Sequence, residues 1–375
     1  MSLTDLNTRD KVLQKLQSEV DEANVSSSTT YSSWVRGNIT LPTKTSSYPT
    51  TRCQFFDKHG FILVPSFSSP EEVQSMKCHM QQLVSSKWIP QKSTHVFRTD
   101  EKQLEAQGRS DYFLDSASAT HFFAEKDAMD DSGQLKESYR ENKIAALNKA
   151  GHGMHTTPGP FQTYALSNKV LDLLTELGWQ DPVVPQSMYI FKQANIGGEV
   201  TSHQDSSFLY TTPRQTCIGL WLALDDATLK NGCLWVRPGS HRESVRRQFA
   251  RNPLYFGESL VYNSDQCDHT QPQMIFRQLD DGNEVPWDGK LPDNSFDSNF
   301  SGLYDNGFIP VPCKAGDLLV FTGELDHLSL PNYSSRARHT FQLHCVEGEQ
   351  VGVLWSKENW LQYPASVPFT RLNSE

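Results

Sequence analysis

The sequence predicts a mainly β fold with flanking helices, built around a double-sheet jelly roll. Short strand-like segments crowd its second half: "VVPQSMYIFKQ", "CIGLWLALDD", "CLWVRPGSH", "DLLVF" and "HTFQLHCV". Each is rich in β-branched and aromatic residues and bounded by Gly, Pro, Asn or Asp. Two segments with helix start and stop signals precede them. The strands do not alternate with helical segments, which argues against a parallel α/β sheet.

Taken in order, residues 8–23 carry Val12, Leu13, Leu16 and Val20 at helical spacing, the pattern of a short amphipathic helix. Residues 26–52 are rich in Ser and Thr, so 1–52 is expected to be an extension that is poorly ordered or strapped across the surface. The folded domain is expected from residue 53 to 375, opening on "CQFFDKHGFILVPSF". A helix follows, with Ser69 as N-cap, Pro70 at its first position and Glu72 completing a capping box. Val73, Met76, Met80, Leu83 and Val84 give it one apolar face. A second helix is predicted from about Ser167 to Leu177, stopped by Gly178. Residues 255–309, dense in Asp, Asn, Pro and Gly, read as a long polar insertion between strands; Asp280, Asp281 and Asp288 read as a solvated face.

With 375 residues the chain buries a core large enough to fold without disulfides or a structural metal. A formal charge of -10 offers no basic surface for nucleic acid or anionic lipid. No apolar run approaches the length of a membrane span, and the N-terminus lacks the apolar region of a secretory signal. Seven scattered cysteines without a C-x-x-C pair read as reduced thiols. A cytoplasmic protein acting on a small molecule is expected, with its oligomeric state open.

In "SHQDSSFLY", His203 and Asp205 stand two residues apart in an extended stretch, so both side chains leave one face. By itself the pair reads as two surface polar residues. His327 is the best third partner, lying just past the apolar strand Leu318 to Phe321, where a second sheet edge can face the first. About ten residues on, Arg336 and Arg338 fall at the start of the next strand, on one face with Thr340 and Gln342. Two imidazoles and one carboxylate form the facial triad of non-heme Fe(II) oxygenases, which leaves coordination positions open. An arginine in that order supplies a fixed fork for the far carboxylate of a dicarboxylic cosubstrate. Both arginines remain candidates on this face, with register favouring Arg338. His152 and His155 in "GHGMH" are too loosely spaced to argue a second metal and read as substrate-side or structural; His241 reads as a turn-stabilising hydrogen bonder.

The stretches "PVVPQSMYIFKQANIGGEVTSHQDSSFLYTTP" and "LWLALDDATLKNGCLWVRPGSH", with "ALNKAGHGMH" and "LWSKENWLQ", resemble the phytanoyl-CoA dioxygenase family from about residue 53 to the end. The resemblance implies a double-stranded β-helix core (jelly-roll, cupin-like) and an Fe(2+) and 2-oxoglutarate-dependent oxygenase that consumes O2. By position it makes His203, Asp205 and His327 the iron ligands and Arg338 the partner of the 2-oxoglutarate C5 carboxylate. Ser329 matches a hydroxyl that helps hold the cosubstrate, and Lys149, Met188, Gln204 and Trp221 match cosubstrate-pocket positions. Without the resemblance, Met188 and Trp221 would read equally as core, and Lys149 as a solvated lysine.

The activity so implied is hydroxylation of a small organic substrate, with release of succinate and CO2. Asp205, where a small residue would vacate an iron position for halide, favours hydroxylation over halogenation. Two alternatives stand beside it: a catalytically silent jelly-roll binding module, and a zinc hydrolase using the same triad, which leaves Arg338 and Lys149 without a role. The N-terminal extension has no family counterpart and the polar insertion is longer than the family's, so the substrate does not follow from the resemblance. No basic cluster stands out for the diphosphate of a CoA thioester.

Overall fold

The computed structural model describes residues 51–90, 96, 110–261, 267–279 and 300–373. The N-terminal helix expected at 8–23, the extension up to residue 50 and the acidic segment around Asp280, Asp281 and Asp288 lie outside the described residues.

The chain enters through α1 (Thr51–His59), two residues ahead of the expected domain start, where Arg52 pairs with Glu176 at 2.9 Å. Strand β1 (Phe61–Val64) follows, then α2 (Pro70–Lys87). Helix α2 opens on the capping box predicted for it: the Ser69 hydroxyl accepts from the Glu72 N–H while the Glu72 carboxylate accepts from the Ser69 N–H. Its buried side chains are Val73, Met76, Met80 and Val84, each worth roughly 1.5–3 kcal/mol of burial. Next come β2 (Thr120–Ala124), β3 (Leu147–His152), α3 (Pro160–Ala165) and α4 (Asn168–Glu176). Helix α4 starts after Ser167 and ends before Gly178, whose φ of 99° needs glycine. The remaining strands longer than two residues are β4 (Pro182–Ile190), β5 (Val200–His203), β6 (Ile218–Ala223), β7 (Leu234–Val236), β8 (Arg247–Arg251), β9 (Met274–Gln278), β10 (Ile309–Val311), β11 (Leu318–Thr322), β12 (His327–Ser329) and β13 (Thr340–Glu347).

Among the described residues these strands form two facing sheets, apart from β8 and β9, which pair only with each other. The major one runs β1-β11-β6-β13-β4-β3-β2, with Thr370–Arg371 pairing on β4; the minor one runs β10-β7-β12-β5. All named pairings are antiparallel. The major sheet's period of two sorts its residues into two environments. Ile62, Ala150, Tyr189, Leu220, Leu222, Val320, Phe341 and Leu343 pack against the apolar face of α2. On the opposite face Phe61, Trp221, Leu319 and Phe321 meet Leu234, Val236, Ile309 and Val311 of the minor sheet. The second face also carries the polar side chains of the site.

Two expectations are corrected. Strands β1, β2 and β3 lie in the first half of the chain, where only helices were singled out, and they complete the major sheet. The insertion at 255–309 is also not strand-free: β9 pairs with β8, and Phe300 and Tyr304 pack on Trp235. No helix among the described residues is long and apolar enough to cross a membrane.

Candidate metal centre

His203 ends β5. Gln204 stays extended (φ -111°, ψ 128°), and Asp205 opens a short 3-10 turn, so His203 and Asp205 still leave the chain on one side although the strand has stopped. His327 stands directly opposite His203, on the adjacent strand β12. The third residue therefore comes from a neighbour in the same sheet, and not from a facing sheet edge as its position past β11 suggested. The two imidazole centroids are 4.2 Å apart. Asp205 Oδ1 lies 3.4 Å from His203 Nε2 and 3.7 Å from His327 Nε2, and the three donor atoms fall within 4.8 Å of one another.

The tautomers are set by backbone carbonyls. His203 Nδ1 donates to Thr201 O at 2.8 Å and His327 Nδ1 donates to Leu325 O at 3.0 Å. Both Nε2 lone pairs then face the space beside Asp205, as ligating imidazoles require. Burial, with the His203 ring beside it, pushes His327 down to about 4, so it is neutral near pH 7. Burial alone would raise Asp205, but His344 and His327 hold its carboxyl well below the usual range. Two imidazoles and one carboxylate fit a divalent iron, and three protein donors leave room for other ligands.

His344 is the residue the sequence did not single out. It lies on β13 of the major sheet, is buried, and its Nε2 is 3.0 Å from Asp205 Oδ2. A carboxylate only accepts, so this Nε2 carries the proton, while Nδ1 has no hydrogen-bond partner among the described residues. One oxygen of Asp205 is thus held by the major sheet and the other is turned to the two histidines. Gly219, opposite His344 on β6, makes room: a Cβ there would sit 2.9 Å from Phe321 and 3.3 Å from Asp205 Oδ2. Glycine inside a buried strand marks such a close approach.

Arg338 is buried whereas Arg336 is exposed, which separates the two candidates. Neither is in a strand: β13 begins at Thr340, and both arginines lie in the segment before it. The Arg338 guanidinium donates to Gly232 O at 2.7 Å, lies 3.4 Å from Ser329 Oγ, and stacks 5.1 Å from the Trp221 ring. Among the described residues its buried Nε has no partner and no carboxylate pairs with it. Burial lowers it to about 10, which leaves it charged at neutral pH.

Trp221, Gln342, Met188 and Gly151 are cross-strand neighbours in one row of the major sheet. That row and Lys149 share the face that carries His344. Lys149 is buried, with Nζ 2.9 Å from His152 Nε2, and burial lowers it well below the usual lysine range. Gln342, half-buried between Met188 and Trp221, joins this set. Gln204 does not: its amide donates to Glu324 O at 2.9 Å and Ser244 O at 3.3 Å and accepts from Arg246 N at 3.1 Å. Both ends are committed to backbone, so Gln204 ties together the loops that carry Asp205 and His327. Of the other histidines the sequence singled out, His155 bonds Ser187 Oγ and Val184 O, His152 bonds Ser116 Oγ, and His241 bonds Asp57 O.

A two-histidine, one-carboxylate group between the sheets of a jelly roll defines a protein of the non-heme iron dioxygenase class. The family model of phytanoyl-CoA dioxygenase (PhyH) matches residues 56–340, and the chain belongs to that family. It is 36% identical over 320 residues to phytanoyl-CoA dioxygenase domain-containing protein 1 of Danio rerio, covering 85% of this chain and 96% of that one. It is 35% identical over 318 residues to phytanoyl-CoA dioxygenase of Arabidopsis thaliana, covering 85% and 95%. Among solved structures, the epimerase SnoN in complex with Fe3+, alpha ketoglutarate and nogalamycin RO matches with a TM-score of 0.50 at 12% identity, over 86% of this chain and 97% of that one. That likeness is one of fold.

Proposed function

We propose that this protein is an Fe(II)- and 2-oxoglutarate-dependent dioxygenase that hydroxylates a small organic substrate. The observation that carries the proposal is the convergence of His203 Nε2, His327 Nε2 and Asp205 Oδ1, with both Nδ1 atoms tied to backbone. When bound, iron and 2-oxoglutarate supply the oxidising chemistry: O2 and 2-oxoglutarate become succinate and CO2 while one oxygen atom enters a substrate C–H bond.

The chain's own residues hold and orient. His203, Asp205 and His327 hold the metal, with Asp205 ligating through Oδ1 because Oδ2 is occupied by His344. Arg338 and Ser329 receive the far carboxylate of the cosubstrate, which brings the counter-charge that the buried guanidinium lacks. Trp221 backs that guanidinium, and Met188 and Lys149 line the same sheet face. Burial of Arg338 keeps water from its guanidinium, so the Arg338 pair is little screened. The same proposal places the chain in a reducing compartment, the cytoplasm, on its seven free cysteines.

Anaerobic addition of Fe(II) and 2-oxoglutarate tests the assignment. A weak visible absorption band, absent in His203→Ala, is the expected result, followed by O2-dependent succinate release lost in the same variant. Tight zinc binding with hydrolysis and no band would overturn it, and binding without succinate would leave a silent module.

A further inference from the structure

Strands β8 and β9 form a separate hairpin. Its register sets Arg247 opposite Gln278, Phe249 opposite Phe276 and Arg251 opposite Met274, so these residues share one face. Phe249 contacts Phe276 at 5.1 Å and Phe208 at 5.6 Å, and Phe208 lies 6.0 Å from both Phe276 and the His203 ring. His203 is the most exposed member of the triad, its side chain 19% accessible against 6% for His327 and 11% for Asp205. The hairpin face thus borders the side of the triad that solvent reaches.

Three arginines lie close together at the edge of this hairpin, and only two are neutralised. Arg237 and Arg246 share Asp326, and Glu243 joins them. Arg247 turns to the other side, where its guanidinium carbon lies 4.1 Å from the Phe276 ring centroid. It makes no side-chain hydrogen bond or ion pair with a described residue. Stacking uses the face of the guanidinium and leaves its N–H donors free in the plane. Burial, with Arg246 nearby, lowers it from the ordinary arginine value, as expected of a cation lacking a counter-charge. Arg251, on the same face, donates to Leu260 O and to Trp360 O; among the described residues its Nε has no partner and no carboxylate pairs with it. An aromatic wall carrying two cations without anions beside a metal triad is built for an anionic guest.

We propose that this hairpin face is the substrate wall and that Arg247 is its specificity-determining residue. It binds a carboxylate or phosphate monoester at one end of the substrate. The apolar remainder lies along the half-buried Phe276 and Phe208, which the buried Phe249 backs, toward the triad. The proposal rests on the dioxygenase reading only in taking the triad as the place of oxidation.

The test uses the full chain loaded with Mn(II) and 2-oxoglutarate. Medium-chain and aromatic carboxylates are titrated beside their primary amides, and the matching phosphate monoesters beside their alcohols. At least one anion should bind about tenfold or more tighter than its neutral counterpart, and the arm that shows this names the group. The preference should vanish in Arg247→Met, return in part in Arg247→Lys, and persist in Arg277→Met. Arg277 lies on the other face of the hairpin, paired with Glu358. Wild-type protein that never prefers an anion, or a preference that survives Arg247→Met, overturns the proposal. Metal and cosubstrate binding are read in the same titrations. Their failure counts against the dioxygenase reading, and the anion comparison is still decided by the paired ligands.

Discussion

Replacing His344 by leucine removes the one donor among the described residues that holds Asp205 Oδ2, at 3.0 Å. A hydrogen bond to a charged acceptor is worth about 1.5–3 kcal/mol. At about 1.4 kcal/mol per factor of ten, that is roughly a tenfold to hundredfold loss of metal affinity if the bond serves to aim Oδ1 at the ion. Outer partners of metal ligands cost about 10–100-fold when removed, the same range by an independent route. Mn(II) titration followed by electron paramagnetic resonance measures the dissociation constant directly, without turnover. His344→Gln, which keeps an N–H donor in reach, should recover most of the affinity. The visible spectrum of the Co(II) form should shift in His344→Leu and return in His344→Gln. The reasoning fails if His344→Leu binds Mn(II) within about twofold of wild type, since Asp205 would then need no such partner.

Arg338→Gln should raise the 2-oxoglutarate dissociation constant about a hundredfold by calorimetry and leave Mn(II) binding intact, because the loss falls on a buried charge pair; Arg336→Gln, on the exposed side chain, should change neither. Gly219→Ala should cost about 1–3 kcal/mol in urea unfolding and weaken Mn(II) binding as well, since its Cβ is pressed against Phe321 and Asp205 Oδ2. His155 is held down to about 4 by burial against an unfolded value near 6.5. The unfolded chain takes up that proton first as pH falls, so stability is complete above about 6.5 and is lost on the way down to 4. At pH 5 this group accounts for about 2 kcal/mol, and His155→Gln should lose that much less between pH 7 and pH 5.

What the chain discloses before folding depends on how local each contact is. The His203–Asp205 pair was readable because an extended backbone puts alternate residues on one side. The same alternation turns Gln204 to the other side, where it binds the backbone of Ser244, Arg246 and Glu324. Arg338 needed the structure, since only burial separates it from Arg336. His344 carried no local signal: it reaches Asp205 across 139 positions, and in "HTFQLHCV" it passes for one polar residue of an alternating strand. Helix α2 was legible in full because its cap and apolar stripe are both written within one segment. Strands β2 and β3 were not, because "THFFA" and "LNKAGH" lack the alternation and β-branched content that mark β4 or β6.

His203 and His327 are directly opposed across the ladder of β5 and β12. A slip of one position between those strands would turn one imidazole to the far side while keeping most backbone hydrogen bonds. Circular dichroism would barely distinguish such a species from the native protein, yet it would bind no metal. Stoichiometric metal uptake is therefore a count of correctly registered molecules, and it grades preparations and variants of this protein more finely than their secondary-structure content does.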